Sequence, residues 1–361
     1  MRTSQDGTGA ATASLHAWRL VRIPLLLALL GVEIVLFAPQ FSDGTSDLDN
    51  LRWGWVLAAI GCEIASIMTY ARLRRRLLRA GGVRVPLRRM GALSFAATAI
   101  SATVPAGSAV SYGYLFRQLR RGGASAPLVG WMLTAAAVVS GLAFTVITMA
   151  GALLSGDSST DAMAGAGGLS LLAVVGLIAL LTVVTRHPAP LVRAVGAVCR
   201  HLPVLRNRGV DDAVDRAIGQ FSVITPRVRD WTAAFWLATL NWVTDLACFV
   251  MCCYAVGADR LGLGAAVLAY VAGLATTSIS LLPGGLGSVD AGLLAGLTSA
   301  GIAAPLALAG VITYRLVAYA LFAIVGWVVW AALRRRRAPI LEPAEPAVDI
   351  GPAPLPVSAA A

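Results

Sequence analysis

The chain has 361 residues, 58% apolar and 13% charged, more oily side chain than a soluble core of that size needs, and several apolar runs exceed the roughly 18 residues that mark a membrane span. Its net charge of +11 comes from arginine with no lysine, and the arginines fall between apolar runs rather than on one soluble basic face, which argues against a nucleic-acid partner. Five cysteines and three histidines lack metal or redox spacing, so no metal, no cofactor and no enzyme activity are expected.

Residues 1–18 are polar and small and lack the order of a signal peptide; a disordered cytoplasmic N-terminus is expected. Apolar segments follow at 20–38, 53–71, 92–116, 127–152, 169–185, 232–256, 264–300 and 306–332. Six of them suit a single crossing. The other two are interrupted, segment 92–116 by Pro105-Ala106-Gly107 and segment 264–300 by Pro283-Gly284-Gly285-Leu286-Gly287.

Charge fixes how the segments thread. The gaps 72–91 and 186–229 each hold eight arginines, and Arg334 to Arg337 close the apolar region; the positive-inside bias puts all three on the cytoplasmic side of the cell membrane. Loops on one side are separated by an even number of crossings, yet three apolar segments lie between the first two basic gaps. Segment 92–116 is therefore read as a re-entrant helical hairpin from the cytoplasm, with arms of about 18 Å that reach just past the midplane. The same count makes 264–300 a hairpin entering from outside. Acidic gaps at Asp43, Asp47 and Asp49 and at Asp157 and Asp161 fall outside in this topology.

The two halves resemble each other at a constant offset of 178: Pro105 and Gly107 recur as Pro283 and Gly285, Gly123 and Pro127 as Gly301 and Pro305. Breaks at matching positions of two apolar halves point to a transporter-like site, because interrupted helices are tolerated in hydrocarbon only where they line a protein cavity. The expected fold is an all-α integral membrane protein with six full transmembrane helices and two opposed re-entrant hairpins in an inverted repeat. Its first repeat is 19–156 and its second 157–337. The cytoplasmic connector 186–231 includes amphipathic stretches, and 338–361 is a disordered Pro/Ala tail. Both termini are expected in the cytoplasm.

Ionisable residues inside spans cost about 2.5–3.5 kcal/mol each on insertion scales and default to functional candidates. Asp290 follows the second break and Arg315 lies in the next span; either they pair and fix the hairpin, or Arg315 contacts a substrate phosphate. Glu63 and Asp245 sit near the middle of corresponding spans and are possible intramembrane charge partners, for a proton relay, a cationic headgroup or a plain interhelical hydrogen bond. Glu33 lies near a helix end. The glycines at 284, 285 and 287 expose backbone amides, and the helix from Ser288 aims its positive end at the midplane, a place that suits an anion. Pro105, Gly107, Tyr112 and Pro283 complete the expected substrate pathway, with Tyr114 and Trp131 as further aromatic candidates. Cys248, Cys252 and Cys253 read as small buried apolar residues.

Leu282-Pro283-Gly284-Gly285-Leu286-Gly287-Ser288-Val289-Asp290-Ala291, with Tyr314-Arg315-Leu316 in the next span, resembles the lysylphosphatidylglycerol synthase transmembrane-region family, similar to the flippase half of bacterial multiple-peptide-resistance proteins. The likeness covers roughly 20–335. Asp290 stands where that family usually has Glu, and the first break carries Ala109-Val110 and Gly113 in place of a Gly-Glu pair and an arginine, with the alanine run 135–137 in place of another arginine. The resemblance implies lipid translocation or handling between leaflets and not lipid synthesis, since a short tail takes the place of an aminoacyltransferase domain. The expected substrate is an anionic phospholipid or a lipid-linked sugar. The alternative is a non-transporting accessory or regulatory protein of a cell-envelope glycosyltransferase. The protein partner would be a second copy of the chain or an envelope-biosynthesis enzyme.

Overall fold

The computed structural model describes residues 51–104, 106–155, 176, 179, 226–276, 283–285 and 287–335, and among these there is no strand. The expected spans 20–38 and nearly all of 169–185, the connector up to residue 225 and the tail 338–361 lie outside the described residues, as do Glu33, Pro105 and Leu286. The helices are α1 (Trp53–Ala80), α2 (Leu87–Thr103), α3 (Gly107–Arg121), α4 (Ala126–Ser155), α5 (Val228–Ala255), α6 (Leu263–Ala275), α7 (Ser288–Ser299), α8 (Ala304–Arg315) and α9 (Phe322–Arg335). A 3₁₀ turn at Pro283–Gly285 precedes α7, and a π-helical turn at Leu316–Leu321 joins α8 to α9. Among the described residues four helical runs are long and apolar enough to cross a membrane: α1, α4, α5 and the continuous run from α8 through α9.

Helix ends differ from the apolar segments where charge is held by structure. The basic gap expected from residue 72 begins as helix: α1 continues to Ala80 and buries Arg74. The interrupted segment 92–116 is longer than its apolar part, since α2 and α3 take in Arg88 and Arg89 at one end and Arg117, Arg120 and Arg121 at the other, as long arginine stems allow near an interface. Helix α5 starts at Val228, before the expected 232, because Asp230 accepts from the Arg227 backbone N–H at 3.1 Å and pairs with Arg76 Nε at 2.9 Å.

α1 and α5 form the central wall and run antiparallel along their whole length. The start of α1 meets the end of α5, where Arg52 donates to Asp259 at 2.6 and 2.9 Å and its backbone N–H to Ala255 O at 3.0 Å; the end of α1 meets the start of α5 through Arg76 and Asp230. One buried cluster packs the second half of α1 and the first half of α5 with α2, α3 and α4 around Leu77, Met90, Leu115 and Met132. The other packs their remaining halves with α6, α7 and α8 around Phe249, Tyr270, Leu293 and Leu297. Facing outward, Leu57 and Ile64 on α1, Trp236, Leu240 and Val243 on α5, and Ile324 and Val328 on α9 are exposed at helical spacing, the pattern of an apolar face turned to lipid.

Both interrupted segments fold back on themselves. At the first, Ala106 takes a left-handed φ of 51° and a Cβ on Gly107 would stand 2.2 Å from Ser101 O, so only glycine allows so tight a reversal. At the second, α6 and α7 lie in backbone contact: a Cβ on Gly296 would fall 2.4 Å from Ala269 Cα, and one on Gly292 2.7 Å from Ala272 O. The two tips touch, since a Cβ on Gly284 would lie 3.1 Å from Ala102 O. Helix α9 holds the first tip from behind, where Trp327 Nε1 donates to Thr103 Oγ1 at 3.2 Å and Phe322 stacks on Phe95 at 6.0 Å.

Candidate functional site: the meeting of two helical tips

The second tip is closed by one arginine. Arg315, the last residue of α8, is 6% exposed; its Nε donates to Asp290 Oδ1 at 2.5 Å, Nη1 to Gly284 O at 2.7 Å and Nη2 to Gly285 O at 3.3 Å. Asp290 turns its other oxygen to the Gly287 backbone N–H at 2.9 Å. The planar fork of a guanidinium fits such a set of acceptors, where an ammonium would satisfy one or two. Gly284 at φ 62° and Gly285 at φ 70° adopt the left-handed backbone of the turn whose carbonyls meet Arg315. The π-helical turn then sets Tyr319 under the same guanidinium, 4.3 Å from its ring centre.

Two expectations separate here. The pairing of Asp290 with Arg315 is present, and it occupies the Gly287 amide that was expected to meet a substrate anion. A partly buried carboxylate, supplied by the chain itself, takes the favourable place at the start of α7. Pro283 opens the turn that carries Gly284 and Gly285.

One layer away, Asp245 of α5 accepts from Tyr270 Oη of α6 at 2.7 Å and Tyr314 Oη of α8 at 2.9 Å. Glu63 of α1 lies within hydrogen-bonding reach of Asp245, so the structure brings these two sequence candidates together. Ionised carboxylates only accept hydrogen bonds, so a bond between the two requires a proton on one of them. Glu63 Oε2 is buried without a hydrogen-bond partner. Cys248, Cys252 and Cys253 are buried beside this layer as free thiols.

The first tip carries no such lock. The positions 178 before Asp290 and Arg315 are Tyr112 and Ala137, which cannot form an ion pair. Gly107 is buried at the reversal, whereas Tyr112 is exposed and lines a cleft of about 250 Å³ between α1, α2 and α3 with Glu63 at one end. Tyr114 and Trp131 are both buried, and Trp131 packs edge-on against Trp231 at 5.9 Å.

Sequence reasoning missed Tyr270 as a partner of Asp245 and missed Arg74, which was counted among loop arginines. It also passed over the serines of the cleft. Their spacing was a usable signal: Ser94 and Ser101 are seven apart, and Ser108 and Ser111 three apart, so each pair shares a face of its helix.

The geometry therefore holds one sealed tip, one unsealed tip, and a buried polar layer at their junction. No curated protein matches the chain. The family model described as lysylphosphatidylglycerol synthase TM region matches residues 18–326, which include α1 to α8, both interrupted segments and the Asp290–Arg315 pair; the chain is a multi-pass membrane protein that belongs to this family.

Proposed function

We propose that the protein moves or handles an anionic or glycosylated lipid between the leaflets of the cell membrane, as a flippase-like protein without catalytic chemistry. Six full transmembrane helices and two re-entrant hairpins would form two repeats of opposite orientation, with both termini in the cytoplasm. The lipid headgroup would cross at the junction of the tips while its acyl chains stay in hydrocarbon.

The observation that carries this reading is the contact between Gly284 and Ala102 O at the tips of two folded-back helix pairs. Further support comes from the helix boundaries: α3 and α7 end 178 residues apart at Arg121 and Ser299, and α4 and α8 begin 178 apart at Ala126 and Ala304. α1 and α5, matched by Trp53 and Trp231 at the same offset, pack antiparallel, the relation that a two-fold axis in the membrane plane imposes on equivalent helices. Polar groups at such a junction lower the barrier that hydrocarbon sets against a charged headgroup, and the family is one of membrane regions associated with lipid.

The test is reconstitution of the purified chain into vesicles with a fluorescent anionic phospholipid. Appearance of the lipid in the opposite leaflet faster than in protein-free vesicles is the expected result. A rate equal to that of empty vesicles would remove the transport reading and leave the accessory role.

A further inference from the structure

We infer that Glu63 of α1 and Asp245 of α5 form a proton-binding site that exchanges with water through the hydroxyl-lined cleft between α1, α2 and α3, and that lipid passage is coupled to this proton. The coupling rests on the reading of the chain as a lipid-handling protein, whereas the site stands on its own geometry.

Both oxygens of Asp245 accept, one from Tyr270 Oη at 2.7 Å and the other from Tyr314 Oη at 2.9 Å. That arrangement suits a carboxylate, so the proton that its contact with Glu63 requires belongs to Glu63. Glu63 is 6% exposed, its Oε2 has no hydrogen-bond partner, and its side chain lines the cleft, which Asp245 does not. One member of the pair therefore meets the cleft, and the other belongs to the tyrosine layer of the second half. A metal ion in this place would need further oxygen ligands, and among the described residues no group of three acidic, histidine or cysteine side chains is gathered. A single proton satisfies two carboxyl groups.

The groups that face the pair leave this proton free to come and go. Cys62 from α1, Cys248 and Cys252 from α5, Tyr270 from α6, Tyr314 from α8 and Tyr319 from the π-helical turn lie near it, all neutral in their protonated forms. Helix α4 carries no titratable side chain. Beyond Tyr319, Arg315 is already paired with Asp290. Across the cleft Tyr112 of α3 reaches Tyr70, α2 presents hydroxyls, and the arginines of α2 and α3 stand at the ends of those helices away from the tip. The remaining charge in the cleft is Arg74, 6% exposed and with an unpartnered Nε, at the opposite end from Glu63. It supplies the counter-charge that lets Glu63 be held ionised in apolar surroundings, so both states of the site are supported.

The cleft suits a proton path. Its space of about 250 Å³ corresponds to about eight liquid water volumes, and its wall offers the hydroxyls of Tyr70, Tyr112, Ser101, Ser108 and Ser66, each able to donate and accept. Ser108 and Tyr112 are exposed and mark its mouth. Loading takes the proton from hydronium: one of its O–H bonds breaks, an O–H bond forms on the Glu63 carboxylate, and water remains; release is the reverse. With the proton present Glu63 donates to Asp245 and ties α1 to α5, and without it two carboxylates face each other and repel. The position 178 after Glu63 is Asn241, which lines the same cleft and whose amide meets Ser66 Oγ at 3.3 Å. Equivalent positions of the two halves thus lie together where α1 packs on α5, so a change of charge there acts on the contact between halves, the contact that alternating access must remake.

The test is infrared difference spectroscopy of the full chain in detergent from acid to alkaline pH, which reads the carbonyl stretch of a protonated carboxylic acid. Wild type is expected to lose one such band as the pH rises, and Glu63→Gln to lack it at every pH. A band that persists throughout, or one that titrates equally in Glu63→Gln, overturns the inference. Should Glu63→Gln not fold, dicyclohexylcarbodiimide, which adds to protonated carboxyls in apolar places, must mark Glu63 of the wild type at acid and not at alkaline pH; an unmarked Glu63 overturns it equally. Ser108→Phe, which fills the mouth, should slow deuterium exchange of the band at least fivefold, and an unchanged rate overturns the cleft as the path. Loss of the band on adding sodium at constant pH and ionic strength would overturn the proton in favour of a metal cation. In vesicles holding fluorescent phosphatidylglycerol, a pH gradient should speed translocation at least threefold in wild type and leave Glu63→Gln unaffected; equal acceleration of both overturns the coupling. A titrating band with no lipid translocation removes the lipid-handling reading and leaves the proton site, whereas translocation without a titrating band does the reverse.

Discussion

Arg315 and Asp290 form a buried pair in which the arginine spends its remaining donors on the carbonyls of Gly284 and Gly285, so one residue of α8 fixes the shape of a tip built thirty residues earlier. Removing one partner of such a pair leaves an uncompensated buried charge, a loss of about 3–5 kcal/mol. Arg315→Ala and Asp290→Ala are each expected to lower thermal stability in detergent by that order, and the double variant by clearly less than the sum. Additive losses would mean that the two residues act separately. Arg315→Lys should recover only part of the stability, because an ammonium cannot reproduce the fork.

The layer around Asp245 makes a second prediction. Tyr270 and Tyr314 each give it one hydrogen bond, and Tyr270→Phe or Tyr314→Phe should each cost about 1 kcal/mol in the same assay. Together they strip a buried carboxyl of both donors, so the double variant should lose more than the two singles combined. Glu63→Gln, which keeps the shape and can still donate to Asp245, should leave stability within about 0.5 kcal/mol of wild type.

Glycine substitutions should differ in sign. A methyl group at Gly296 would meet Ala269 Cα, so Gly296→Ala is expected to push α6 from α7 at a loss of about 1–3 kcal/mol. Gly130, inside α4 with nothing within 4 Å of a Cβ, should tolerate alanine or gain up to about 1 kcal/mol in helix propensity. Equal losses at both sites would contradict the close packing of the second hairpin. Thermal unfolding of the two variants side by side separates the cases.

The helix breaks were legible in the sequence because proline and glycine inside an apolar run leave few other structures open: α2 ends at Thr103 and α3 begins at Gly107, on either side of Pro105, and the interval between the end of α6 at Ala275 and the start of α7 at Ser288 contains Pro283-Gly284-Gly285. The partnership of Asp290 with Arg315 was legible for a related reason, since two buried opposite charges have few alternatives to each other. What could not be read was which arginines leave the interface. Arg72, Arg74, Arg75 and Arg76 are near-identical letters in a row, and only the rotation of α1 turns Arg74 inward while Arg72 stays exposed. Asp245 posed a similar problem: its tyrosines come from α6 and α8, twenty-five and sixty-nine residues away, and no local pattern links them.

We propose that the two folded-back helix pairs enter the bilayer from opposite faces. Arg121 at the end of α3 and Ser299 at the end of α7 are both exposed and 178 residues apart, so they mark the mouths of the two pairs. Single cysteines placed there by Arg121→Cys and Ser299→Cys, in a chain whose native cysteines are replaced by alanine, can be labelled in intact cells with a membrane-impermeant maleimide. The account predicts that the cysteine at 299 reacts from outside and the one at 121 only after the membrane is opened. Labelling of both from the same side would contradict it.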